Sequence, residues 1–131
     1  MQEQCYYRIS IKGIVIDDDG RVLLTREDNG AWEMLGGGLD HGEDPIDGLK
    51  REIREETGLT VTSVSDAPKY FIAWRKENGA YAANVVYEIK LAGLDFTPSE
   101  ECQELRFFSP EEMTQVTLFA NVQKLYELLT K

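Results

Sequence analysis

The stretch GGGLDHGEDPIDGLKREIREETGL, residues 36–59, decides the fold of this chain. It begins with three glycines and then carries seven acidic residues against three basic ones. The acids are Asp40, Glu43, Asp44, Asp47, Glu52, Glu55 and Glu56. Like charges at this density repel one another, so their concentration beside a glycine-rich segment needs a physical reason.

Residues 44–58 carry the signals of a helix. Asp44 is a good N-cap, Pro45 suits the first helical position, and Gly58 can close the C-terminus. Apolar residues recur at helical spacing at Ile46, Leu49 and Ile53. The spacing predicts a helix whose apolar stripe faces the core.

With that stripe turned inward, Glu52, Glu55 and Glu56 fall on one partly buried flank of the helix. Repulsion at i,i+4 costs about 0.2–0.5 kcal/mol per pair, and it grows in a low dielectric. Mg²⁺ or Mn²⁺ would remove it, because hard cations prefer oxygen ligands. Gly48 lies on the same flank, where its missing side chain is expected to leave room for a ligand's phosphate. For an isolated pattern of this kind, a solvated acidic surface is the alternative.

The rest of the chain predicts helices packed against a mixed sheet. Residues 8–16 and 21–26 are expected to form a hairpin through the turn DDDG. The segment AWEMLGGG is expected to be a short strand that runs into a glycine loop. Further strands are predicted at 60–65, 69–75, 81–91 and 104–108. A capping box at Ser109 and Glu112 begins a helical turn, and an apolar stripe predicts a terminal helix through Phe119, Val122, Leu125 and Leu129.

The length and charge of the chain narrow the classes of function. The 131 residues fit one domain, residues 1–131, and the net charge of −10 disfavours a nucleic-acid polymer as partner. No apolar run is long enough to span a membrane, and the N-terminus has no signal segment. Cys5 and Cys102 form no CxxC pair, which favours a cytoplasmic location.

The acidic helix and its flanks resemble the Nudix box, the signature of the Nudix hydrolase superfamily, G-x5-E-x7-R-E-U-x-E-E-x-G-U with U apolar. Every fixed position is filled, by Gly37, Glu43, Arg51, Glu52, Ile53, Glu55, Glu56, Gly58 and Leu59. The hairpin around DDDG, the lead-in from Trp32 and the segment ELRFFSPEEM also resemble the family's layout. Leu35 stands where the family often has proline, and Asp40 stands where glutamate is usual. The resemblance implies an α/β fold, a Nudix-type α/β/α sandwich of mixed β-sheet with a loop–helix–loop and a C-terminal helix.

The resemblance also implies an activity, the hydrolysis of a nucleoside diphosphate linked to another moiety with Mg²⁺ or Mn²⁺ as cofactor. Matched by position, the metal ligands would be Glu52, Glu55, Glu56 and the backbone carbonyl of Gly36. Glu52 is also the member of this set expected to help activate water. Arg51 would hold the acids in place through an ion pair with Glu43.

In several members of the family the general base comes from a later loop. The candidates for a base or an extra metal ligand here are Glu100, Glu101 and Glu104. As the alternative, Glu100 and Glu101 solvate a loop and Glu104 only begins a strand.

Residues outside the box are expected to choose the substrate. The candidates are Tyr70, Phe71, Trp74, Arg75 and His41, and core packing or a plain surface position is the alternative for each. The small size resembles members that act on nucleoside triphosphates, followed by ADP-ribose and dinucleoside polyphosphate hydrolases. A non-catalytic nucleotide-binding sensor on the same fold is the competing class, and a homodimer is left open.

Overall fold

The computed structural model describes residues 4–131, which form eight strands and three helices. The strands are β1 Arg8–Ile14, β2 Val22–Arg26, β3 Trp32–Glu33, β4 Leu35–Gly38, β5 Val61–Val64, β6 Tyr70–Arg75, β7 Tyr81–Leu91 and β8 Glu104–Phe108. The helices are α1 Pro45–Thr57, α2 Pro110–Met113 and α3 Ala120–Leu129. The predicted mixed α/β fold is confirmed.

The strands form two sheets. The larger sheet has the order β4-β1-β7-β5, and β6 also pairs with β7. Within it β1 and β7 run parallel, and the other pairs are antiparallel. The smaller sheet is antiparallel, in the order β3-β2-β8.

The two longer helices cover two separate apolar cores. Leu49 and Ile53 of α1 pack with Ile11 of β1 in one core. Val122 and Leu125 of α3 belong to the other core. Adjacent residues of β7 divide between the cores, and since successive side chains of a strand point to opposite faces, the helices lie on opposite sides of the larger sheet.

The predicted hairpin between residues 8–16 and 21–26 is present only next to its turn, and the rest of the prediction is wrong. The amide of Leu23 donates to the carbonyl of Val15 at 3.0 Å, and Ile16 bridges Val22. Past this point β1 joins the larger sheet and β2 joins the smaller one. The reason is that Leu23 faces one core and Leu24 faces the other, so β2 is buried on both faces, which a hairpin ribbon alone would not provide.

The expected glycine loop is also wrong, because its glycines form strand β4. Gly36, Gly37 and Gly38 pair antiparallel with residues 12, 11 and 10 of β1. Gly36 has a φ of +116°, and a Cβ there would clash with the carbonyl oxygen of Ile11. These glycines let two backbones and a helix side chain approach closely, and the loop proper begins after them.

Helix α1 confirms the caps read from the sequence. The side chain of Asp44 accepts hydrogen bonds from the amides of Ile46 and Asp47, both at 3.1 Å. Gly58 closes the helix with a φ of +76°. Strands β6, β7 and β8 and the capping box of α2 also confirm the predictions within a residue or so. Between residues 4 and 131 there is no helix of the length and apolarity needed to cross a bilayer.

Candidate active site

The three glutamates that helix α1 contributes to the Nudix box differ in how far they are buried. Glu56 is 7% exposed, and the side chains of Glu52 and Glu55 are 21% and 60% exposed. A Cβ at Gly37 would lie 2.6 Å from the carboxylate of Glu52, so this carboxylate lies against the backbone of β4. Glu52 therefore lies on the flank of α1 that faces β4, with Glu56 more buried and Glu55 more exposed on the same helix.

Arg51 ties the acids of the box together. Its Nε and Nη2 atoms donate to the two carboxylate oxygens of Glu43 at 2.8 and 3.0 Å, which is the predicted ion pair. Its Nη1 atom donates to Glu52 at 3.3 Å and to Glu55 at 3.1 Å. The hydrogen bonds from Arg51 lower the pKa of Glu43, and those to Glu43 raise the pKa of Arg51. Arg51 thus fixes the orientation of three carboxylates.

Gly48 has a different role from the expected one. A Cβ at this position would lie 2.7 Å from a carboxylate oxygen of Glu43. The space beside Gly48 is therefore filled by Glu43 and is not free for a phosphate. The missing side chain lets Glu43 reach Arg51 across the start of the helix.

The carboxyl group of Glu56 is the most perturbed acid of the site. Burial raises its pKa to about 8, and the negative charges of Glu101, Glu52 and Glu27 act in the same direction. The ammonium of Lys12 opposes this rise. Burial also raises the pKa of Glu52 and of Glu27. Several carboxylates therefore crowd a poorly solvated place with too little positive charge.

Lys12 is part of the site, and our sequence analysis missed it. It is 7% exposed, and its Nζ atom donates to the carbonyl oxygen of Gly36 at 3.2 Å. This is the carbonyl that the family resemblance assigns to a metal. A lysine inside the apolar strand RISIKGI was the signal, since lysine is almost never fully buried without a partner.

Of the three candidate bases, the structure brings only Glu101 toward the box acids. The charge of Glu101 raises the pKa of both Glu56 and Glu52. Glu104 instead pairs with Arg26 at 3.3 Å, on the smaller sheet. Glu100 is exposed, and its backbone carbonyl accepts a hydrogen bond from the amide of Asp28.

A cleft of about 860 Å³ adjoins the acidic flank. Ser10 and Lys12 of β1, Gly37 and Gly38 of β4, and Asn84 of β7 contribute to its lining. Its other side includes Trp74, Leu118 and Phe119. Gly37 belongs to the cleft lining and lies close to Glu52, so the cleft and the acidic flank border each other at this residue.

A buried polar triad lies in the wall of this cleft. The amide nitrogen of Asn121 donates to Glu33 at 2.8 Å and to the side-chain oxygen of Asn84 at 2.7 Å. Asn84 and Asn121 are 1% and 2% exposed. The triad was not singled out from the sequence, although two asparagines in apolar segments were the signal.

The predicted substrate-binding residues separate in the structure. Trp74 lines the cleft, whereas Tyr70 packs against the apolar core. Phe71 is 66% exposed, and Arg75 is exposed beside Tyr81. His41 is exposed in the loop after β4, where it lines a second cavity of about 360 Å³ together with Arg8. The structure thus brings Trp74 to the cleft, and none of the other four lines it.

The donor atoms of the site fit a hard divalent cation. Within residues 4–131, no three side chains of the metal-binding types are already gathered into a closed cage. The carboxylates of α1 and the Gly36 carbonyl are nevertheless oxygen ligands of the kind that Mg²⁺ takes. Among the described residues no buried side-chain oxygen lacks a hydrogen-bond partner, so the Glu56 carboxylate oxygens, which receive no hydrogen bond, keep some contact with solvent and are open to a cation.

Comparisons of the sequence with a family model and with known proteins indicate the same family. The family model described as "NUDIX domain" matches residues 6–129. A "MutT-like protein" from Streptomyces ambofaciens is 32% identical over 83% of this chain and 68% of its own length. The "Nucleoside triphosphatase NudI" of Escherichia fergusonii is 30% identical over 87% of this chain and 91% of its own.

Solved protein structures share the fold of this chain. The solution structure of the E. coli ORF135 protein superposes with a TM-score of 0.75 over 94% of this chain and 88% of that protein, at 27% identity. The family match covers nearly the whole chain, and the box acids, their arginine clamp and the sheet topology all lie within it. The chain therefore belongs to the Nudix family, and it is a Nudix hydrolase.

Proposed function

We propose that this protein hydrolyses a nucleoside diphosphate linked to another moiety in a reaction that requires Mg²⁺ or Mn²⁺, with nucleoside triphosphates as the first substrate class. One observation carries the proposal. The cleft and the acidic flank of α1 meet at Gly37, which lines the first and contacts Glu52 of the second. A nucleotide bound in the cleft would extend its phosphates to the acids.

The lining of the cleft suits a nucleoside. Trp74 and Phe119 supply aromatic surface on which a base can stack. Asn84, Asn121 and Glu33 supply polar groups held in place by their mutual hydrogen bonds. The cleft thus combines aromatic and apolar surface with fixed polar groups, and small-molecule sites use both.

The residues proposed to hold the metal are Glu52, Glu55, Glu56 and the carbonyl of Gly36. When bound, divalent ions would polarise the phosphoryl oxygens and make water a better nucleophile. Arg51 holds the carboxylates of Glu52 and Glu55 in place through hydrogen bonds. Glu101 is the proposed general base among the late acids, because its charge acts on Glu52 and Glu56. Nudix hydrolases generally use divalent metal ions and act on nucleotide derivatives.

The preference for nucleoside triphosphates has support from a relative. The protein named nucleoside triphosphatase NudI aligns with this chain over 91% of its own length. ADP-ribose and dinucleoside polyphosphates also contain a diphosphate, and they are the next substrate classes in our proposal. A non-catalytic sensor would need the same ligand groups without turnover, and no contact in the described chain favours it.

The test is phosphate and pyrophosphate release from a panel of substrates with Mg²⁺ or Mn²⁺. The panel contains nucleoside triphosphates, oxidised deoxynucleoside triphosphates, ADP-ribose, dinucleoside polyphosphates and nucleotide sugars. Glu56→Gln is the inactive variant, and Glu127→Gln, at an exposed position of α3, is the matched control. We expect metal-dependent turnover of triphosphates that Glu56→Gln loses and Glu127→Gln keeps. A folded protein that binds nucleotide and metal but turns over nothing would instead be a sensor.

A further inference from the structure

Lys12 is a buried lysine, and burial of an ammonium group is unfavourable unless nearby groups replace its hydration. It pairs with Gly36 in the register of β1 and β4, and its neighbour Ile11 belongs to the core under α1. The side chain of Lys12 therefore points to the opposite face of the sheet, toward the cleft. A lysine that is only 7% exposed gives up most of its hydration, which must be compensated by nearby oxygens.

Part of this compensation comes from a backbone oxygen of the proposed metal site. Among the residues described, the hydrogen-bond partner of the Nζ atom is the Gly36 carbonyl, at 3.2 Å. An ammonium has three donors, so two remain free for other oxygens. The positive charge of Lys12 also lowers the pKa of Glu56 and of Glu27, although no ion pair joins Lys12 to either acid among the described residues. The other lysine of the cleft lining, Lys76, is exposed.

These contacts conflict with a simple metal site. A divalent ion on the Gly36 carbonyl would meet the Lys12 ammonium at the same oxygen. Two like charges at such a distance repel strongly in a place that is shielded from water. This repulsion disfavours simultaneous contact of the ion and the ammonium with the Gly36 oxygen.

Building on the proposed metal-dependent hydrolysis, we propose that the ammonium of Lys12 is the resident cation of the acid cluster in the metal-free enzyme, and that a divalent ion must displace it from the Gly36 carbonyl. Without metal, Lys12 stabilises the crowded carboxylates. With metal, the flexible lysine side chain turns from the carbonyl into the cleft, where a polyanionic substrate would receive it. Lys12 thus weakens metal binding in the absence of substrate and is a positioning residue for the loaded site.

The experiment measures Mn²⁺ binding without nucleotide, from the electron paramagnetic resonance signal of free Mn²⁺. The proteins are the wild type, Lys12→Met and Lys12→Gln. Lys90→Met is the control, because Lys90 is exposed on the larger sheet and its removal changes the net charge equally. Melting temperatures are recorded at pH 8 in EDTA and in saturating Mn²⁺.

We expect Lys12→Met to bind Mn²⁺ about fivefold to tenfold more tightly than the wild type, because the displaced charge is gone. We also expect a lower melting temperature in EDTA, because the acids lose their counter-charge, and its recovery in Mn²⁺. If Lys12→Met fails to fold in EDTA, Lys12→Gln is used, since its amide can still donate to Gly36. Lys90→Met should behave as the wild type.

Unchanged or weaker Mn²⁺ binding in the folded Lys12 variants would overturn the inference, as would an equal gain in Lys90→Met. Either result can coexist with turnover by the wild type, which would leave the proposed function standing. A wild type that binds no Mn²⁺ and hydrolyses no nucleotide would overturn the proposed function itself. The two failures are therefore distinguishable.

Discussion

Replacement of Glu56 by glutamine tests separately how Glu56 affects the stability of the protein and how it affects turnover. Glutamine keeps the shape of glutamate and removes its charge. Glu56 is 7% exposed, and it lies near three other acids whose charges act on it. We therefore expect Glu56→Gln to make the metal-free protein more stable at pH 8 while it loses most of its turnover.

The magnitude follows from the pKa of Glu56, which is raised from 4.5 to about 8. Between these values the folded state keeps a proton that the unfolded state has released, so the free energy of unfolding falls as the pH rises. The difference between the two pKa values sets an upper limit of about 5 kcal/mol on the loss in free energy of unfolding that the ionised Glu56 causes. Relaxation and coupling to Glu52 reduce it, so we expect a gain of about 2 kcal/mol for Glu56→Gln at pH 8. That corresponds to about 6–10 °C in melting temperature.

The assay is thermal unfolding in EDTA at pH 5 and at pH 8, together with steady-state turnover in Mg²⁺. The gain in stability should be large at pH 8 and nearly absent at pH 5, where Glu56 is protonated in the folded wild type. Glu55→Gln is the matched control, because its side chain is 60% exposed and its replacement should change the melting temperature at pH 8 far less than Glu56→Gln does. An equal or lower melting temperature of Glu56→Gln at pH 8, or normal turnover, would refute the reasoning.

Three other substitutions test neighbouring contacts. Gly37→Ala places a Cβ 2.6 Å from the flexible carboxylate of Glu52, so turnover should fall by at least about tenfold with little change in melting temperature; kinetics and unfolding on one preparation check this. Arg51→Lys removes the two-point contact with Glu43 while it keeps the charge, so kcat should fall, and unchanged kcat would show that the clamp is dispensable. Asn121→Leu removes the donor to the buried side-chain oxygen of Asn84 and one of two hydrogen bonds to the half-buried Glu33, so it should cost about 1–3 kcal/mol in urea unfolding, whereas a neutral result would mean that the triad rearranges freely.

The catalytic helix was predictable because its signals are local. The cap at Asp44, the apolar stripe and the terminal Gly58 all act within one or two helical turns. The pair of Arg51 with Glu43 spans eight positions and follows from the resemblance. Strands β7 and β8 were found because apolar, aromatic and β-branched residues predominate in them.

The missed features depend on contacts between distant parts of the chain. Lys12 meets Gly36 across 24 positions, and Asn121 meets Asn84 across 37. The three glycines read as a loop because their role as a strand appears only when β1 lies beside them. In the same way, Gly48 was assigned to a ligand because the turn that brings Glu43 back to the helix is not a local pattern.

The most direct test of the central claim is a single ³¹P NMR experiment on the wild type with a nucleoside triphosphate. The spectrum is followed first in EDTA, then with Mg²⁺ in excess, and then after a second addition of EDTA. We expect the triphosphate signals to persist in EDTA, to give way to products once Mg²⁺ is present, and to stop changing when it is removed. Signals that never change with folded protein, or that decay at the same rate in EDTA, would contradict a metal-dependent hydrolase built on the acids of α1.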